Sequence, residues 1–101
     1  MSTQIGIDIK LIQYLKNTGY RADKIIDDLV AETLELGGVA QMQIAPEQGQ
    51  FLEIIVKISQ AKNCLEIGRF TGLSSLCIAR GLSEKGNLVA VDNSDEFLSM
   101  A

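Results

Sequence analysis

The chain has 101 residues, with 9 Lys plus Arg against 13 Asp plus Glu and a net charge of −4. That length is one small domain or part of a larger one. The acidic balance excludes the basic face that a nucleic-acid partner requires, and the 47% hydrophobic content excludes an intrinsically disordered chain. No apolar run approaches the ~20 residues that span a bilayer, and no basic-then-apolar leader is present. The expectation is therefore a cytoplasmic protein with neither membrane nor nucleic acid as partner. There is no histidine, which removes the commonest general base and metal ligand and any Ser-His or Cys-His nucleophile pair within the chain. Cys64 and Cys77 lack metal-ligand spacing and read as two reduced core thiols.

In chain order, residues 7–17 carry Ile7, Leu11, Ile12, Tyr14 and Leu15 at helical spacing, and Gly19 ends that helix. Asp23 reads as the N-cap of a second helix with Ile25, Ile26, Leu29, Val30 and Thr33 on one side and acids on the other. Gly37-Gly38 stops it, and Val39 to Ala45 reads as a loop. Pro46 suits the first position of a third helix, whose expected inner stripe is Phe51, Leu52, Ile55, Val56 and Ser59.

The period then changes. Asn63 to Ile67 is a short apolar run of strand length ending in Gly68. Leu73 to Leu82 reads as a helix, and Leu88 to Val91 as a second apolar strand ending at Asp92. Ser94 is placed to cap a further helix. Residues 63–92 thus form a strand–helix–strand unit with parallel strands and a right-handed crossover. Strands apolar throughout imply burial on both faces. The fold class expected is α/β: the N-terminal part of a Rossmann-like domain, with leading helices over residues 1–62, the first βαβ unit over 63–101, and a parallel sheet left incomplete.

The turn Glu66-Ile67-Gly68-Arg69-Phe70-Thr71-Gly72-Leu73-Ser74 carries the chemistry. Ligands of doubly wound sheets bind at the carboxyl ends of the strands. Gly68 lets backbone approach a ligand closely. The free amides opening the helix, with the Ser74 hydroxyl, suit an anion. Asp92, 92 − 68 = 24 residues after Gly68, is spaced to accept ribose hydroxyls. Arg69 is as well explained by a solvated charge as by ligand contact. The dinucleotide pattern Gly-x-Gly-x-x-Gly is not met, since its later glycines would fall at Phe70 and Leu73. Glu66 would repel phosphates and instead suits a ligand with a positive centre. S-adenosylmethionine answers all of these features: a ribose for Asp92, a carboxylate for the helix N-terminus and Ser74, and an ammonium and sulfonium near Glu66.

Leu65 to Ser74 resembles motif I of the S-adenosylmethionine-dependent O-methyltransferases of the caffeoyl-coenzyme A and catechol type, which commonly read Leu-Glu-Ile-Gly-Thr-Phe-Thr-Gly-Tyr-Ser. The stretch Met42 to Leu52, with its Gly49-Gln50, is similar to that family's lead-in, and Val91-Asp92 to the end of its second strand. The resemblance implies Met42 and Ile44 beside the cofactor, Glu66 near its amino group, backbone contacts from Gly68 and Arg69, the methionine carboxylate at Ser74 and the ribose at Asp92. Arg69 and Leu73 depart from the pattern.

The resemblance further implies methyl transfer to a hydroxyl of a small, catechol-like phenolic acceptor. A divalent metal, Mg being the expected ion, and a homodimer are implied only for a complete protein of about twice this length. Residues 1–101 offer neither a catalytic residue nor a metal cluster, so this portion is expected to be truncated and inactive alone. Two rivals remain: a fragment of a nicotinamide-dependent oxidoreductase, disfavoured by Phe70 and Glu66, and a non-catalytic remnant acting by self-association.

Overall fold

The computed structural model describes residues 3–101. The first helix, α1 (Ile9–Thr18), starts where Asp8 takes an extended backbone and its carboxylate accepts the Leu11 N–H at 2.9 Å. The cap thus leaves Ile7 outside the helix that its spacing suggested. Gly19 ends α1 by donating its N–H to the Leu15 carbonyl. The second helix, α2 (Lys24–Leu34), is capped by Asp23, which accepts the Ile25 and Ile26 N–H groups at 3.0 and 3.1 Å. Ile26 and Thr33 are its buried residues, whereas Ile25 faces outward.

The stretch from Val39, expected as a loop, is instead largely a 3-10 helix, Gly37–Met42. Gly37 enters it at φ +83°. Tight bonds such as Gln43 N–H to the Ala40 carbonyl at 3.1 Å then continue the winding that the glycine pair was expected to end.

Pro46 does open α3 (Pro46–Ser59). Its inner line is not the expected one. Val56 is buried and Leu52 half-buried, but Phe51, Ile55 and Ser59 are exposed. The cause is close approach to the fourth helix, α4 (Leu73–Gly81). A Cβ on Gly49 would lie 2.7 Å from Cys77 Sγ, and one on Gly81 would lie 2.7 Å from the Glu53 carbonyl oxygen. Two glycines therefore set the line of contact, and a reading of apolar spacing does not count glycine.

The strands β1 (Asn63–Ile67) and β2 (Asn87–Val91) flank α4 and pair in parallel, from Asn63 opposite Asn87 to Ile67 opposite Val91. This is the expected strand–helix–strand order within an α/β fold. Burial on both faces is not observed. Cys64 and Glu66 turn inward, while Leu65, Ile67, Val89 and Val91 are exposed, Ile67 at 82%. The helices cover one face, and no element among the described residues covers the other.

The core joins α2 to α4 through Ile26, Leu73 and Cys77, with Leu29, Val30, Ile44 and Leu76 packed around them. Both cysteines are free, Cys77 fully buried and Cys64 half-buried. The Arg80 guanidinium reaches Asp23 at 2.7 Å, tying the end of α4 to the start of α2. After β2 the chain forms turns rather than the helix expected after Ser94, although the Ser94 hydroxyl does accept the Glu96 N–H at 3.1 Å. This segment folds back over the β1–α4 turn. The Phe97 ring meets Phe70 edge-on, with centroids 4.9 Å apart, and a Cβ on Gly72 would come within 3.2 Å of the Ala101 Cβ.

Candidate functional site

β1 delivers the chain to Gly68, whose N–H donates to the Val91 carbonyl at 2.8 Å. Within the next five residues Gly68, Phe70 and Gly72 take φ of +91°, +49° and +99°. For Phe70 that left-handed backbone costs roughly 1–2 kcal/mol. Asp92 holds it there. Its Oδ2 accepts the N–H groups of Arg69 at 2.8 Å and Phe70 at 3.1 Å, and its Oδ1 accepts the Ser94 N–H at 3.1 Å. The backbone donors of Phe70, Arg69 and Ser94, in that order of effect, hold the Asp92 carboxyl below the usual aspartate range. A carboxylate has about four acceptor positions, so the turn already uses most of them.

At the carboxyl ends of both strands lies a cleft of about 450 Å³, lined by Ile67, Gly68, Val91, Asp92 and Asn93. Its place matches the rule for ligands of parallel sheets, and its size that of a small-molecule site. A Cβ on Gly68 would meet no atom within 4 Å, so the glycine leaves open a cradle that any side chain would fill. A larger hollow, about 700 Å³, lies between the α1–α2 loop and α3 and includes Tyr20, Asp23, Gln50, Glu53 and Arg80. Much of its polar lining is already paired. Asp23 meets Arg80, and Gln50 accepts the Arg21 N–H at 2.8 Å while donating to the Gly19 carbonyl at 2.6 Å. The strand-end cleft is the better candidate.

The residues singled out in the sequence do not all meet in one place. Gly68 and Asp92 line the cleft, and the Arg69 backbone borders it through its bond to Asp92. The Arg69 side chain turns away to donate to the Ser94 carbonyl at 3.1 Å, so it latches the segment after β2. Ser74 stands in the first turn of α4, whose N-cap Gly72 supplies no side-chain bond and leaves the opening amides to another acceptor. Glu66 does not line the cleft. It is buried behind the turn, where its Oε1 accepts the Ser75 hydroxyl. Met42 is exposed at the end of the 3-10 helix, and Ile44 packs into the core beside Gly49.

The sequence reading missed Ser75 and the fully buried Thr71; it put Thr33 on the inner side of α2, where it is indeed buried, but did not foresee its bond to Thr71. It also missed what Gly49 and Gln50 do, which is to admit Cys77 and to clamp the α1–α2 loop. Chemically, Asp92 can accept the hydroxyls of a ring at the cleft and the α4 amides can meet an anion, which fits the ribose and carboxylate of S-adenosylmethionine. Glu66, bonded to Ser75 behind the turn, does not reach the cleft. No three Cys, Asp or Glu side chains come together as a metal site among the described residues, so no step through a metal follows from them. No helix among them is long and apolar enough to cross a membrane.

Residues 16–101 match the family model described as O-methyltransferase. A catechol O-methyltransferase from Niastella koreensis is 30% identical over 82% of this chain and 37% of its own length. Caffeoyl-CoA O-methyltransferase 2 of Petunia hybrida is 45% identical over 50% of this chain and 21% of its own. Among solved structures, the O-methyltransferase from Bacillus cereus in complex with SAH superposes with a TM-score of 0.68 at 32% identity, covering 87% of this chain and 40% of that one. The chain therefore spans well under half the length of these relatives.

Proposed function

The chain belongs to the O-methyltransferase family, and from that premise we propose that residues 63–92 form the methyl-donor seat of an enzyme that methylates a hydroxyl of a small acceptor. The observation that carries this reading is the Asp92-braced turn beside the open Gly68 cradle, at the carboxyl ends of two parallel strands. S-adenosylmethionine, when bound, supplies an electrophilic methyl group. The residues of this chain supply position. Asp92 accepts from the ribose, and the α4 amides and Ser74 hold the carboxylate. Gly68 lets the turn's backbone lie against the ligand, and fixing the donor in one orientation is how such a seat contributes to rate.

On family likeness we extend the reading to a catechol-like phenolic acceptor, a divalent metal such as Mg in the whole protein, and a homodimer. A nicotinamide dinucleotide is the weaker reading, because the later glycines of its fingerprint would fall at Phe70 and Leu73 and the family match is to O-methyltransferases.

Calorimetric titration tests the seat. S-adenosylmethionine and SAH should both bind, and Asp92→Ala should weaken both by roughly tenfold or more, the scale of a lost hydrogen bond to a charged group. Unchanged affinity in Asp92→Ala removes Asp92 from the site. Binding of a nicotinamide dinucleotide in place of both ligands overturns the reading.

A further inference from the structure

Three buried or half-buried polar side chains from distant parts of the chain meet beneath the β1–α4 turn, and the seat described above uses none of them. Thr33, on the last turn of α2, and Thr71, inside the turn, are both 0% exposed. Their hydroxyls share a hydrogen bond of 3.0 Å. Gln43, just after the 3-10 helix, donates from Nε2 to Thr33 at 3.1 Å and to Thr71 at 3.3 Å. A carboxamide nitrogen has two protons, so one group can serve both hydroxyls.

We propose that Gln43, Thr33 and Thr71 are positioning residues that lock the cofactor turn to α2 and to the lead-in segment. Seating of the donor thereby depends on the order of Met42–Ile44. The link to the donor rests on the proposed function; the lock itself does not.

Thr71 sits between Phe70 and Gly72, both at positive φ, so its hydroxyl anchors the most contorted part of the turn. Asp92 braces the same turn from the β2 side, through the amides of Arg69 and Phe70. The Thr–Gln cluster braces it from the α2 side. Gln43 lies between Met42 and Ile44, so it joins the turn to the segment that family likeness places against the donor. A hydroxyl pair buried only for packing would be served as well by two valines. Fully buried polar groups cost stability unless bonded, and a network bonded throughout specifies one arrangement.

The test uses the whole chain and four variants. Thr33→Val keeps the shape and removes the hydroxyl, Thr33→Ser keeps the hydroxyl, and Gln43→Ala and the Thr33→Val/Gln43→Ala double variant complete a cycle. None of these positions lines the cleft. The first readout is amide hydrogen–deuterium exchange without ligand. Thr33→Val should speed exchange of the Arg69 to Ser75 amides roughly fivefold, the size of one net hydrogen bond, relative to α3. Thr33→Ser should restore it, and the double variant should add little to either single change. The second readout is calorimetry, where Thr33→Val should weaken S-adenosylmethionine binding by a similar factor at a temperature at which the variant is folded. Acceleration spread evenly over the helices, or turn amides left unchanged, overturns the lock. Failure of the unaltered chain to bind S-adenosylmethionine overturns the donor reading instead, while the exchange comparison still decides the lock.

Discussion

Gly68 and Gly37 make a matched pair that separates strain from function. Both sit at positive φ, +91° and +83°, and at both a Cβ would meet nothing within 4 Å. An alanine at either position therefore pays only for its backbone, roughly 1–2 kcal/mol, with no contact penalty. They differ in where the methyl group points. Gly68 lines the strand-end cleft, and Gly37 does not. If that cleft seats the donor, a methyl at residue 68 occupies ligand space. Overpacking of a fitted site costs about 1–3 kcal/mol, which is roughly fivefold to 150-fold in affinity. Urea unfolding and calorimetric titration with SAH should thus show Gly68→Ala and Gly37→Ala equally destabilised, with only Gly68→Ala losing binding. Equal affinities in the two variants would refute the cradle and reduce the glycine turn to a connection.

Three further outcomes follow from the packing and the charges. Gly81→Ala would place a Cβ 2.7 Å from the Glu53 carbonyl oxygen and 2.8 Å from Val56 Cβ. Backbone cannot yield there, so the gain in helix propensity should be outweighed and the urea midpoint should fall by the equivalent of about 1–2 kcal/mol. Asp92 has its folded carboxyl held low by the Phe70, Arg69 and Ser94 amides. Its contribution to stability is therefore complete above the unfolded aspartate value, ~4, and is lost as pH falls through the lower folded value. Asp92→Asn should flatten the acid limb of stability against pH below about 4, and an unchanged limb would contradict the brace. Finally, the uncovered strand face of Leu65, Ile67, Val89 and Val91 should drive self-association. Sedimentation velocity of the chain alone should show oligomers, and Leu65→Lys with Val89→Glu should reduce them.

The legible parts of the sequence were those governed by local chemistry. Asp23 as a cap, Pro46 at a helix start, and two strands joined through a glycine turn depend on neighbours a few residues away, and they stand where expected. What eluded the reading depends on contacts made across the fold. The face of α3 is chosen by Gly49 and Gly81 meeting a partner helix, so Phe51 and Ile55 stayed outside despite good spacing. Thr33 was on the inner side of α2 by its spacing, but the Thr33–Thr71 bond was not legible, because it forms only when residues 38 positions apart meet. Glu66 was read as facing a cationic ligand centre, but strand alternation places it beneath α4, bonded to Ser75, rather than in the cleft. The open sheet face has a similar cause: an apolar strand announces that it can be covered on two sides, and the cover must come from elsewhere in a fold.

Asp92 links the built turn to the proposed ligand, and its acceptor sites must be shared between them. It receives three backbone protons on about four acceptor positions. The two on Oδ2 come from Arg69 and Phe70 in a part-buried stretch. Losing them would leave amides without partners in a segment already strained at Phe70, a loss that water there compensates poorly. The one on Oδ1 comes from Ser94, two residues away and exposed, where water can replace it at small cost. Under the proposed function the two oxygens therefore divide the work. Oδ2 keeps the turn in shape, and Oδ1 is the atom that turns to ribose hydroxyls, releasing the Ser94 N–H to solvent when both are bound. An aspartate suits this division because its short side chain holds one oxygen against the backbone while presenting the other to the cleft. Glutamate, one methylene longer, would have to give up one of the two tasks.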